Sequence, residues 1–374
     1  MFAAPSFRMG RMFGIPIEVN ITWIVVFVLV SATLSFSYFP SAFPGRTLGV
    51  DLISGVVTAL LFFASIVIHE MSHSLVARAG GIKVEKVTLF LFGGVAQMEE
   101  DPTTPGREFV MAIAGPLASL ALAAIFAAMA FVMSTAGVSN IWWAPFEYLG
   151  IINVAVAVFN MLPGFPLDGG RVLRSMLWGL SKDQLWATRW ACRAGQFIGY
   201  SLMALAVFAV LTGSLNLIWL GLVGWFITVL ADSAYKQQVI KESLHRNTVL
   251  TVASRDVVVA PADITVEELI FDFFVEGPHT RYPVVDGGAI IGMATLDAAK
   301  KVPRAEWAMT RVRDITDTDL ASLVIEADAP ADKLLDRMRK DAHSALIVKQ
   351  DGNLAGIVTR ADMTSYLRRA KIDI

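Results

Sequence analysis

The sequence predicts a polytopic α-helical membrane protein of six spans with a short β-hairpin, followed by a soluble α/β domain. Three observations carry that expectation. The 374 residues are 55% hydrophobic with a mean hydropathy of +0.58, too apolar for one ordinary soluble domain. Apolar runs long enough to cross a bilayer recur six times before residue 231. Charge is sparse up to residue 237, and more than half of all charged residues fall in the shorter remainder. The net charge of -2 leaves no electrostatic footprint for nucleic acid, and Cys192 alone excludes an intrachain disulfide framework.

Taken in order, Arg8 and Arg11 precede a first apolar run from about Val19 to Phe39. It has no small-residue cleavage site and exceeds a signal-peptide core, so it reads as a retained first helix. Pro40 to Asp51, with Pro44-Gly45, reads as a loop, and the second span runs from about Leu52 to Ala79. Two short β-prone runs from Val87 to Ala96, around Gly93-Gly94, read as a hairpin or as a simple connector. The third span, about Glu108 to Met133, carries Ala114-Gly115-Pro116, whose small residues permit close helix packing. The fourth begins near Tyr148 and runs through Asn153 and Asn160 into Pro163-Gly164-Phe165-Pro166-Leu167-Asp168-Gly169-Gly170-Arg171. Spans five, about Trp186 to Leu211, and six, about Leu215 to Leu230, complete the bundle. If the N-terminus is cytoplasmic, that side receives Arg8, Arg11, Arg78, Lys83, Lys86 and Arg107, then Arg171, Arg174, Lys182 and Lys236. The opposite loops receive Arg46. Both ends of the bundle, and the soluble domain, are therefore expected in the cytoplasm, in the cell membrane if the source is prokaryotic.

The chemistry centres on His69-Glu70-Met71-Ser72-His73, near the far end of the second span. Residues four apart share a helix face, so the two imidazoles can meet one metal ion, with zinc the expected one. Glu70 then stands beside the metal, placed to take a proton from a water. The chain has five His, and these two alone precede His245, so a third ligand in the membrane half must be a carboxylate or Cys192. Asp168 is favoured, because prolines before it and glycines after it give an irregular backbone that membrane proteins tolerate only where it lines a polar site. Its competing role is to cap the helical stretch after Gly169. Asn160 can donate a hydrogen bond to a developing oxyanion, or simply bridge helices.

With these residues in view, the chain resembles the site-2 protease family of intramembrane zinc metalloproteases. The resemblance rests on His69-Glu70-Met71-Ser72-His73 and on Asn160-Met161-Leu162-Pro163-Gly164-Phe165-Pro166-Leu167-Asp168-Gly169. It implies zinc on His69, His73 and Asp168, Glu70 as catalytic base, and regulated proteolysis of a membrane protein within or near a transmembrane segment. It also implies that the hairpin at Gly93 and Gly94 offers an edge strand to an extended substrate, which in such proteases can be a membrane-anchored regulator of transcription. Gly115-Pro116 resembles the family's Gly-Pro helix, and no segment matches an inserted PDZ domain.

The soluble half repeats itself. Arg281 to Asp286 followed by Ile291 to Thr295 recurs as Ser344 to Val348 followed by Ala355 to Asp362, each unit reading as strand, helix, strand, strand, helix. The pair resembles two cystathionine-β-synthase (CBS) motifs, which gives domains at 1–237, 238–305 and 306–374. Such pairs bind adenine nucleotides, with a Thr near phosphate and an Asp three residues later on the ribose. Thr359 and Asp362 match that spacing, whereas after Thr295 the Asp position holds Ala298 and Asp297 comes one residue early. ATP or AMP as a regulatory ligand, and a homodimer through the CBS pair, are the further expectations. The main alternative function is a CBS-regulated metal-ion transporter or channel, since intramembrane carboxylates also line ion paths. A transporter needs no Glu beside a His pair. A silent receptor would normally have lost one of the four site residues, and all four are present.

Overall fold

The computed structural model describes residues 6–90, 93–98, 101–277, 279–340 and 345–369. By contacts the chain separates into two compact units, Met1–Tyr235 and Lys236–Ile374. Among the described residues, six helices are long and apolar enough to cross a membrane: Ile21–Ala42, Leu48–Ala79, Pro105–Thr135, Asn140–Asn160, Gln184–Leu211 and Ile218–His245. The protein is an integral, multi-pass membrane protein.

The first unit opens with a feature the sequence reading missed. Residues at and ahead of the expected start of the first span, Arg8 and Arg11 among them, form two strands, β1 (Ser6–Met12) and β2 (Ile15–Asn20), joined at Phe13 and Gly14, both at positive φ. In β2, Ile15, Ile17 and Val19 are buried and alternate with half-buried Pro16 and Glu18, the period of a strand with one covered face. Two features masked that pattern. Pro16 weakens any strand reading, and Val19 merges with the apolar run that follows. Asn20 then caps α1 (Ile21–Thr33), its Oδ1 accepting from Thr22 N at 3.0 Å. The first span continues through a π-helical turn, Leu34–Tyr38, into α2 (Phe39–Ala42). The expected loop from Pro40 to Asp51 is accordingly shorter: Pro40 follows the π-helical turn within the continuous first span, and α3 (Leu48–Ala79) already starts at Leu48.

After α3, strands β3 (Val84–Phe90) and β4 (Gly93–Met98) pair antiparallel as the expected hairpin; its tip residues Leu91 and Phe92 lie outside the described residues. β2 pairs parallel to β3, so the sheet runs in the order β1-β2-β3-β4 with β4 at one edge. Ile15, Ile17, Val19, Val87 and Leu89 of this sheet pack against Val67 and Met71, which seats it on the stretch of α3 that bears the His pair. α4 (Pro105–Thr135) is capped by Thr104 and α5 (Asn140–Asn160) by Ser139. α5 begins eight residues before the expected Tyr148, with Pro145 accommodated inside it. The break after Asn160 is a tight loop held to the bundle by Phe165 N donating to Ala191 O at 3.1 Å. It leads into α6 (Asp168–Ser181), then α7 (Gln184–Leu211) and α8 (Ile218–His245), which runs well past the Leu230 end expected for span six.

The second unit contains two three-stranded sheets of like connectivity. In one, β5 (Ala260–Pro261) runs parallel to β6 (Arg281–Asp286), which turns at Gly287-Gly288 into β7 (Ala289–Thr295). In the other, β8 (Val324–Glu326) runs parallel to β9 (Ala345–Gln350), which turns at Asp351-Gly352 into β10 (Asn353–Thr359). Each has the expected strand, helix, strand, strand, helix order; Ser344, quoted for the second repeat, lies outside the described residues. The cores interleave along the sequence. Leu244, Val249 and Val252 pack with Leu334, Leu346 and Met363 of the second repeat, and Val312 packs with Ala260 and Tyr282 of the first.

Candidate metal centre

His69 and His73 project from one face of α3 and are 4% and 6% exposed, far too buried for an incidental surface pair. Asp168, the first residue of α6, meets them. Its Oδ2 lies 3.1 Å from His69 Nε2 and 3.2 Å from His73 Nε2, and the two Nε2 atoms are 3.3 Å apart. A tetrahedral zinc with ligand bonds of about 2.0–2.1 Å separates any two of its ligand atoms by about 3.3 Å. The three atoms thus outline one face of such a tetrahedron, and the donor set of two imidazoles and one carboxylate suits zinc.

The far nitrogens of both rings are held by α4. His73 Nδ1 donates to Met111 O at 2.7 Å, and His69 Nδ1 lies 2.9 Å from Ser119 Oγ. A carbonyl can only accept, so His73 Nδ1 carries a proton and the neutral ring presents a free Nε2 lone pair; the Ser119 hydroxyl can accept from His69 Nδ1 in the same way. Gly115, on the same face of α4, lets the backbone reach the site. A Cβ there would stand 2.5 Å from His69 Nε2 and closer still to His73 Nε2. Met111, Gly115 and Ser119 were not identified as site residues from sequence. Their spacing along one helix face was the available signal.

Glu70 follows His69 on α3 and accepts a backbone hydrogen bond from Gly94 of the edge strand β4. A Cβ at Gly94 would collide with Glu70 Cγ and approach Cδ to 2.9 Å, so only glycine fits between strand and carboxylate. Gly93 opens the same strand. Asn160 ends α5 half-buried, with no side-chain hydrogen bond among the described residues. Cys192 is buried in a different cluster, among Phe165, Ala191 and Ala231. Asp168 is not the N-cap of α6, a position held by Leu167, which removes the competing role.

In the second unit, Thr359 and Asp362 bond each other at the start of a helix. Asp362 Oδ2 accepts from Thr359 N at 2.8 Å and from its hydroxyl at 2.7 Å, and Thr359 Oγ1 accepts from Asp362 N at 3.2 Å. Thr295 makes the corresponding cap on Ala298 N at 3.1 Å.

Comparison with known proteins agrees with this geometry. Residues 57–139 and 133–206 match Peptidase family M50, and residues 249–302 and 312–369 match the CBS domain. "Putative zinc metalloprotease sll0528" of Synechocystis sp. is 33% identical over 98% of this chain and 97% of its own length. "Putative zinc metalloprotease Rip3" of Mycobacterium tuberculosis is 33% identical over 96% of this chain and 92% of its own length. The solved site-2 protease from Methanocaldococcus jannaschii is 29% identical, with 62% of this chain and 95% of that one covered and a TM-score of 0.42. The family assignment stands on the full-length sequence relatives, and the chain belongs to Peptidase family M50, the site-2 protease family, as a membrane-embedded zinc metalloprotease with a CBS domain pair.

Proposed function

We propose that His69, His73 and Asp168 hold the zinc and that Glu70 is the general base for hydrolysis of a peptide bond in a transmembrane protein. The observation that carries this reading is the triangle of Nε2, Nε2 and Oδ2 atoms with 3.1–3.3 Å edges, beside a carboxylate on the next residue of the same helix. Held by these three residues, zinc would supply a Lewis acid to polarise the scissile carbonyl and to make a water acidic enough to react near neutral pH. Glu70 takes the proton from the attacking water and gives it to the departing amine. Its hydrogen bond from Gly94 keeps the carboxylate aimed while that proton moves.

A peptide bond inside a helix is shielded by its own hydrogen bonds, so the substrate has to unwind and present itself as a strand. β4, at the edge of its sheet and in contact with Glu70 through Gly94, offers the backbone groups to receive it, with Gly93 in the same register run. Asn160 is assigned to the developing oxyanion. The charge asymmetry puts the N-terminus and the CBS pair in the cytoplasm. Thr359, Asp362 and Thr295 are assigned to an adenine nucleotide, ATP or AMP, that regulates cleavage.

The test is Glu70→Gln in the full-length protein reconstituted with a transmembrane substrate. Cleavage is expected to vanish while one zinc per chain remains by elemental analysis. Cleavage at the wild-type rate would overturn the base assignment, and loss of zinc from this variant would move Glu70 into the ligand set.

A further inference from the structure

α6 delivers Asp168, and the same helix carries Arg174, which is 6% exposed and forms an ion pair with Glu108, which is fully buried, in the first turn of α4. Arg174 Nε donates to Glu108 Oε1 at 2.6 Å, and Nη2 donates to the same oxygen. The guanidinium also lies over the Phe165 ring, 5.0 Å from its centre. Burying two opposite charges is costly, and a well-packed apolar pair often stabilises a fold as well or better. A pair retained in such a place therefore calls for a role other than stability.

The position of the pair supplies one. Glu108, Met111, Gly115 and Ser119 follow one another at helical spacing along a single face of α4. Met111 orients His73, Ser119 orients His69, and Gly115 leaves room for both Nε2 atoms. Glu108 adds the remaining member of the triad, because through Arg174 it holds the helix that carries Asp168. Six positions separate Asp168 from Arg174, which is about 9 Å along the axis and about 120° around it. Two anchors pointing in different directions constrain both the depth and the rotation of a helix, and the Arg174 pair adds a directional bond to the non-directional packing of Leu173 against Phe165, Ala191 and Ala231. Gly169 and Gly170 let the start of α6 press against the backbone of Met161 to Phe165, which sets how near the helix comes but supplies no directional bond.

We propose that the Glu108–Arg174 pair is a positioning device for the third metal ligand: it sets the rotation of α6 so that the Asp168 carboxylate meets both imidazoles. This rests on Asp168 being a ligand, as proposed above. Zinc affinity of the full-length protein, stripped of metal and titrated against a chromophoric chelator, reads the device without any need for cleavage. Arg174→Met and the isosteric Glu108→Gln are each expected to weaken zinc binding about 10- to 100-fold, the range for groups that orient metal ligands. Arg174→Lys, which keeps the charge, should recover part of that loss. In an Asp168→Ala background the same substitutions should cost nothing further, since their effect passes through Asp168. Wild-type affinity in both Arg174→Met and Glu108→Gln would overturn the proposal, and so would losses that simply add to that of Asp168→Ala, the mark of a general packing role. If Asp168→Ala alone binds zinc like the wild type, the ligand assignment fails and the positioning role fails with it. Glu108→Gln keeps size and shape, so the proposal remains testable even if Arg174→Met does not fold.

Discussion

Gly115→Ala sets two physical expectations against each other. Within a helix, alanine is favoured over glycine by about 1 kcal/mol, so on propensity alone the substitution is neutral or stabilising. The site predicts the reverse for metal binding. The added methyl would stand 2.5 Å from His69 Nε2 and 2.7 Å from His69 Cδ2. An unstrained contact needs about 3.5 Å, so the imidazole or α4 has to retreat by about 1 Å. Metal–ligand distances tolerate about 0.2 Å. A displacement several times that tolerance removes His69 or His73 as an effective ligand, and a loss of at least about 100-fold in zinc affinity, about 2.8 kcal/mol, is expected. Thermal unfolding of the zinc-free protein measures the first effect and chelator competition measures the second. A Gly115→Ala protein that binds zinc as tightly as the wild type would refute the claim that α4 crowds the ligand nitrogens.

Other substitutions separate the remaining roles. Gly94→Ala pushes a methyl into Glu70 and should abolish cleavage while zinc content stays at one per chain. Ser119→Ala removes the partner of His69 Nδ1 and should weaken zinc about tenfold, whereas Ser72→Ala, whose hydroxyl bonds only the Ile68 carbonyl of its own helix on the exposed side, should change nothing. Asp168→Ala should lower both zinc content and cleavage, and Cys192→Ser should leave both near wild type, since Cys192 is buried away from the histidines. Asp362→Ala removes the reciprocal cap with Thr359 and should cost about 1 kcal/mol in stability of the soluble unit. Calorimetry with ATP and AMP on the full-length variant then reports the nucleotide assignment, which predicts loss of binding beyond that cap effect.

The spans were legible because length and hydropathy suffice to find them, and their ends were not because those depend on caps and partners distant in sequence. β2 shows why. Its strand partner β3 lies more than sixty residues on, and Pro16 and Glu18 break the local apolar signal, so the burial of Ile15, Ile17 and Val19 arises only when α3 and β3 are in place. α5 starts at Asn140 although Pro145 argues locally against a helix and Glu147 against an apolar span. Ser139 caps it, and Ala144 and Pro145 are buried within it.

The site divided in the same way. His69, Glu70, His73 and Asp168, which the structure brings to one place and which are proposed to hold the metal and serve as base, carry distinctive side chains and could be picked out from the sequence. Met111 acts through its carbonyl, which every residue has, and Gly115 acts by lacking a side chain, so neither leaves a mark in the residue types alone. What emerges from the geometry is a division of scaffolds. The proposed metal ligands are all referenced to α4, two directly through Met111 and Ser119 and one, on the positioning role proposed above, through Glu108 and Arg174. Glu70, the proposed base, is referenced to the edge strand β4 through Gly94. A substrate strand pairing with β4, as proposed above, would therefore bear first on Glu70, through Gly94. Faults in the two scaffolds should consequently look different: lesions on the α4 face lose the metal, and lesions at β4 keep the metal and lose the reaction.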